Sequence, residues 1–249
     1  MSPQTPRPNF YVSPEASSAL LTEPAQLRLS VLFFASFLGL AGVWLLISAL
    51  LLPQAIALPL DKGSAAAAGA YRSNATWAAR LGVIRGDLYK EAAFTDADLV
   101  WLDPARSRDP ANAARLQRAR SNAQTALALA PVNGAVWLLL AELPAPPGKA
   151  AEAGATAALQ MSYFTAPTDP SLALPRLQRA LALSAPLDKD LQEFVKGDLR
   201  QLLLNSPRQY PAILAAYKAA PPQNQSILEA LAAEVDPHFN QYLRGESPK

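Results

Sequence analysis

Cysteine is absent from the 249 residues, and histidine occurs once, at position 238. The first absence excludes disulfides, thiolate nucleophiles and cysteine metal sites, and fits an oxidising compartment without requiring one. A lone His238 cannot supply the several imidazoles that a zinc site normally draws on, and no G-x-S-x-G elbow accompanies it for acyl transfer. Its place after Asp236-Pro237 reads as a surface position at a helix start. No Walker or dinucleotide glycine pattern occurs, so neither a metal nor a nucleotide cofactor is expected. An excess of charge is missing too. With 22 Lys and Arg against 20 Asp and Glu, the net charge is +2, which gives no field for nucleic acid.

β-Branched and aromatic residues are sparse, whereas alanine and leucine dominate. This composition favours helix over strand and predicts an all-α protein. The 23 prolines do not oppose that reading, because most lie in the first residues or at expected helix ends.

Charge is missing altogether from Leu29 to Leu52, LSVLFFASFLGLAGVWLLISALLL. As a helix this run measures roughly 36 Å, enough to cross a hydrocarbon core about 30 Å thick. The expected partner of residues 29–52 is therefore a lipid bilayer, with a single-pass helix over 29–53. Residues 1–28, rich in Pro and Ser, read as a disordered tail, and 54–64 as a linker to a helical domain over 65–249. Arg28 abuts the run, while the next base, Lys62, lies well beyond it. That bias places the tail in the cytoplasm and the domain across the membrane. A cleaved secretory signal is the competing reading, with Pro53, Ala55 and Ala57 forming a site after Ala57. A signal core usually has only about 7–15 apolar residues, which favours an uncleaved anchor. Gly39, Gly42 and Ser36 put small residues in the span, but the glycines do not form a GxxxG pair.

Beyond the linker, Asp109-Pro110, Asp169-Pro170, Ser206-Pro207 and Asp236-Pro237 repeat one device. An N-cap oxygen precedes a proline at the first helical position, where its missing N–H costs nothing. Helices are expected near 65–93, broken close to Gly82 or Gly86, then 110–129, 133–143, 149–163, 170–183, 188–204, 207–219, 223–235 and 237–244. Short connections imply antiparallel hairpins. Apolar stripes support these spans: Leu116, Ala119, Ala123, Ala126 and Leu127; Leu191, Phe194, Val195, Leu199, Leu202 and Leu203; Ile227, Leu228, Leu231 and Val235.

One stretch adds a resemblance. Ala119, Ala123, Ala126-Leu127 and Leu129 lead to Pro131, and Trp137, Leu140 and Ala141 follow. Ala157-Ala158-Leu159 and Met161 come after. Residues 118–163 resemble the junction of tetratricopeptide repeats, with small residues in a second helix, a terminal proline and an aromatic in the next first helix. Trp77, Leu81 and Gly82 resemble the opening of an earlier repeat with one residue too many. Pro144, Pro146 and Pro147 depart from the pattern. An irregular helical bundle is the alternative arrangement. The resemblance implies a solenoid of stacked hairpins that binds a protein partner.

The candidate binding residues are Arg106, Arg108, Arg115, Arg118 and Arg120. Their guanidinium forks suit carboxylates and phosphates. Arg176 with Arg179, and Lys196 with Arg200, form smaller pairs. Asp96-Ala97-Asp98 has the D-x-D form used by metal-dependent glycosyl transferases, although no parallel sheet is expected to carry that chemistry. Asn74-Ala75-Thr76 fits a glycosylation sequon or a helix cap. Trp77, Trp101, Trp137, Tyr163, Phe164, Tyr210 and Tyr217 read mostly as hairpin packing. The expected function is a non-enzymatic, membrane-anchored adaptor with a periplasmic domain on a bacterial inner membrane. Envelope or surface-polysaccharide assembly is the setting this suggests. An enzyme or enzyme subunit of glycan assembly using the arginines and Asp96/Asp98 is the alternative.

Overall fold

The computed structural model describes residues 14–50, 74–82, 84–101, 110–144 and 149–245. These residues contain no strand, and the protein is all-helical. The chain divides into two units at Leu50.

The first unit is one helix, α1 (Pro14–Leu50). Its segment Ala25–Ile47 is long and apolar enough to cross a membrane, and among the described residues no other helix passes that test. The side chains there are uncovered: Phe33, Phe34, Phe37 and Leu40 are all exposed, and nothing approaches Gly39 or Gly42. Helix starts earlier than a tail over 1–28 allows. Pro14 suits the first turn, and Ala16, Ala19, Leu20 and Leu21 are strong helix formers that extend the ladder into the apolar run. The linker 54–64, the site after Ala57 and the start of the domain at 65 lie outside the described residues.

The second unit contains α2 (residues 74–81), α3 (Gly86–Trp101), α4 (Pro110–Leu129), α5 (Gly134–Glu142), α6 (Lys149–Thr165), α7 (Pro170–Leu181), α8 (Lys189–Asn205), α9 (Tyr210–Ala219), α10 (Pro222–Val235) and α11 (Pro237–Arg244). The break between α2 and α3 falls at Gly82, as expected. A Cβ at that position would lie 2.1 Å from Leu88 Cδ1 and 3.1 Å from the Ala78 carbonyl oxygen, so any larger residue would force the buried Leu88 to shift.

Helices pack as successive pairs: α3 on α4, α5 on α6, and α7 on α8. After these come α9 against α7 and α10 against α8 and α11. Small residues permit the close approach. Ala93, Ala97, Ala119, Ala123 and Ala126 are buried where α3 meets α4. Leu172, Leu177, Leu181, Leu191, Val195, Leu199 and Leu228 fill the larger core from α6 to α11. Trp137 and Leu140 of α5 touch both cores and join them.

The Asp-Pro punctuation works at two of its four sites. Asp169 accepts from Ser171 N at 3.0 Å, and Asp236 accepts from His238 N at 2.9 Å and Phe239 N at 3.2 Å. Asp109 lies outside the described residues. Ser206 makes no side-chain cap bond, and Pro207–Gln209 forms a single 3₁₀ turn instead of opening a helix over 207–219. The reason is Pro211. An α-ladder from 207 would need its N–H for the Pro207 carbonyl; without it, Gln209 N bonds Ser206 O at 2.9 Å and α9 begins afresh. Asn133 and Asp188 cap α5 and α8 by the same chemistry without a following proline.

Candidate functional site

Helix α4 presents its arginines to different partners. The Arg118 fork donates to Asp96, Nη2 to Oδ1 at 3.1 Å and Nε to Oδ2 at 3.3 Å, and ties α4 to α3. Arg115 Nη1 donates to Asn112 Oδ1 at 2.6 Å within α4. Arg120 Nη2 donates to the carbonyls of Leu143, 3.3 Å, and Pro144, 2.8 Å, and so closes the C-terminal end of α5. Arg106 and Arg108 lie outside the described residues. Arg118 thus reaches a neighbouring helix, Arg120 backbone carbonyls, and Arg115 a side chain of its own helix, so the three described arginines engage separate partners.

The aspartates of D-x-D separate as well. Two residues apart on α3, they project roughly 200° from one another, at about 100° per residue. Asp96 is buried against Arg118. Asp98 is buried elsewhere, and burial, then the nearby Glu91 charge, pushes its carboxyl up to about 7. Among the described residues no three His, Asp or Glu side chains come together as metal ligands. His238 is exposed, its backbone N–H held by Asp236. Of the aromatic residues, Tyr163 is buried and Trp137, Tyr210 and Tyr217 are half-buried. Trp77, Trp101 and Phe164 are exposed, although Phe164 meets the Phe194 ring edge-on at 5.4 Å.

The most constrained polar cluster lies between α6, α7 and α8. Arg176, which the sequence pairs with Arg179, is 0 % exposed. Its Nε donates to Ser162 Oγ at 2.9 Å, and its Nη2 to the carbonyls of Ser162, 2.6 Å, and Ala166, 2.8 Å. It therefore closes the end of α6 from α7, while Ser162 Oγ donates to the Gly134 carbonyl at 2.7 Å. The guanidinium also stands 4.8 Å from the Tyr163 ring centre, and Phe194 stacks on that ring at 4.9 Å.

Asp198 completes the cluster. Burial pushes its carboxyl up to about 7, with the Tyr163 hydroxyl and the Arg176 charge pulling it down. Burial and the Asp198 charge drive the Tyr163 hydroxyl far above its usual range, and burial draws Arg176 below its own. The Tyr163 hydroxyl and Asp198 face each other without a well-formed bond, since Tyr163 Oη and Asp198 Oδ2 both lack a partner. Ser162, Tyr163, Arg176 and Asp198 are all buried.

A shallow cleft of about 360 Å³ opens above Arg176. Lys90, Val132, Asn133, Gly134, Ala166 and Asp169 are among its walls, contributed by α3 and by the turns after α4 and α6. The turns meet closely: a Cβ on Gly134 would lie 2.5 Å from Ala166 Cβ and 3.2 Å from Arg176 Nη2. The arrangement offers one cation, one carboxylate and backbone groups to a docking segment. It was legible only in outline, because Arg176 and Asp198 occupy stripe positions beside Leu172, Leu177, Val195 and Leu199, yet the sequence does not pair them. No protein-family model matches the chain, and neither a curated protein nor a solved structure does.

Proposed function

We propose that the protein is a membrane-anchored, non-enzymatic scaffold that binds another protein of a membrane or envelope complex. In this reading α1 crosses a bacterial inner membrane once, with its N-terminal side in the cytoplasm. The helical pairs form a tetratricopeptide-like array in the periplasm. The observation that carries it is the succession α3/α4, α5/α6 and α7/α8 behind one apolar helix. This pairing puts α4 as the second helix of one hairpin and α5 as the first of the next, the register the tetratricopeptide resemblance implies. The internal engagement of Arg115, Arg118 and Arg120 supports scaffolding over ligand chemistry at that cluster. Envelope or surface-polysaccharide assembly is the setting that fits a single anchor and a protein-binding domain.

Photo-crosslinking from exposed positions in intact membranes, with captured proteins identified, tests the proposal. Recovery of one stoichiometric partner protein is expected. Capture of self-contacts alone, or a purified activity lost on Asp96→Ala with partner binding intact, overturns it. A reporter fused after Lys249 that works only in the cytoplasm overturns the topology.

A further inference from the structure

The outer face of α2 carries an unusual set of side chains. Ala75, Ala78 and Ala79 are buried against Leu88 and Ala92 of α3. On the opposite side Trp77 is 56 % exposed, and the Arg80 guanidinium lies 5.6 Å from its ring centre. Ile84, 68 % exposed, follows in the turn to α3. That turn brings Gly86 beside Leu129 and Ala130 at the end of α4. Lys90 shares the neighbouring cleft with Val132.

We infer that this face of α2, Trp77 and Arg80 with exposed Ile84 in the turn that follows, rests on the headgroups of an anionic phospholipid bilayer. Each side chain matches a level of that interface. The indole body is apolar with a polar N–H tip, the guanidinium reaches phosphates, and the aliphatic Ile84 side chain enters shallowly. Aromatic residues concentrate at this depth for the same reason. The chain supplies the proximity. It leaves α1 at Leu50 and enters α2 at Asn74, and residues 51–73 extend to about 80 Å at most. A surface held that near at high effective concentration needs only a weak contact to be occupied. The inference rests on the reading of α1 as a membrane span.

The absence of cysteine makes a single introduced thiol unique. The full chain, reconstituted in vesicles of phosphatidylcholine with phosphatidylglycerol, is spin-labelled at Trp77→Cys, Ile84→Cys, Leu204→Cys or Leu38→Cys. Oxygen and a water-soluble nickel chelate report depth. Labels at 77 and 84 are expected between the phosphate level and about 10 Å beneath it. The label at 204 stays aqueous and that at 38 stays in hydrocarbon. Adding Arg80→Glu to the Ile84→Cys chain, or omitting phosphatidylglycerol, returns the label at 84 to water. Nickel access at 77 and 84 equal to that at 204, with 38 in hydrocarbon, overturns the inference and leaves the anchor standing. Protection of 77 and 84 from both reagents means protein covers the face, and also overturns it. Nickel access at 38 overturns the anchor, and this inference with it.

Discussion

Replacing Gly134 by alanine tests the close approach between the start of α5 and the end of α6. The added methyl would sit 2.5 Å from Ala166 Cβ, 3.0 Å from the Ser162 carbonyl and 3.2 Å from Arg176 Nη2. Carbon atoms normally meet at about 3.5–4.0 Å, so the first contact is short by about 1 Å. Ala166 cannot simply withdraw, because its carbonyl accepts from Arg176 and its N–H donates to the Ser162 carbonyl. The start of α5 has to move instead, and overpacking of this kind costs about 1–3 kcal/mol. Alanine recovers no more than about 1 kcal/mol through backbone entropy, less in a first turn. A net loss of about 1–2 kcal/mol follows, or a fall of roughly 2–8 °C in Tm for a chain this size. Gly154 in α6 and Gly197 in α8 have nothing within 4 Å of a built Cβ. Alanine at either is expected to stabilise by roughly 0.5–1 kcal/mol. Thermal unfolding of the detergent-solubilised chain, followed by far-ultraviolet circular dichroism, compares the three variants. If Gly134→Ala is as stable as Gly154→Ala, the close contact between α5 and the end of α6 is wrong.

The buried polar groups make three further predictions. Arg176→Met keeps most of the aliphatic volume but removes three hydrogen bonds at the end of α6, for a loss of about 1–3 kcal/mol in urea unfolding; an unchanged midpoint would contradict the cap. Asn224 is fully buried and ties the turn after α7, donating to the carbonyls of Leu181, Leu183 and Ala185 and accepting from Leu187 N. Asn224→Leu should destabilise by about 1–3 kcal/mol and increase proteolysis near residues 182–188. Asp198 titrates at about 7 in the fold against 3.8 ordinarily, so between those values the folded chain holds a proton that the unfolded chain has released. Stability from this group is therefore complete below about pH 4 and declines by about 1.4 kcal/mol per unit as pH rises toward 7. Asp98 contributes in the same direction. Asp198→Asn should flatten the profile of urea midpoints between pH 4 and 8, and an unaltered slope would show that Asp198 does not titrate there.

Much of the helical layout follows from local chemistry alone. Proline and a preceding Asp mark α7 and α11 because capping and a fixed φ act within a few residues. Gly82 interrupts α2 and α3 for a reason equally local to the turn. The apolar run from Leu29 to Leu52 needs no neighbour to be recognised as long enough for a bilayer. The 3₁₀ turn at Pro207 was legible in principle too, through the missing N–H of Pro211 four residues on.

The arginines show where such reasoning ends. Periodicity assigns a side chain to one face of one helix, but it does not say which helix covers that face. Arg118 reads as a ligand-binding fork until Asp96, from α3, meets it at 3.1 Å. Arg176 reads as a surface charge until the approach of α5 at Gly134 and the end of α6 enclose it, and Asp198 arrives from α8. Sequence by itself determined that this chain is helical, where most helices begin and end, and that one of them suits a membrane. Which charges are buried, and what satisfies them, was decided only by tertiary packing, because a guanidinium is stable in a core only where acceptors such as the carbonyls at the end of a neighbouring helix meet it.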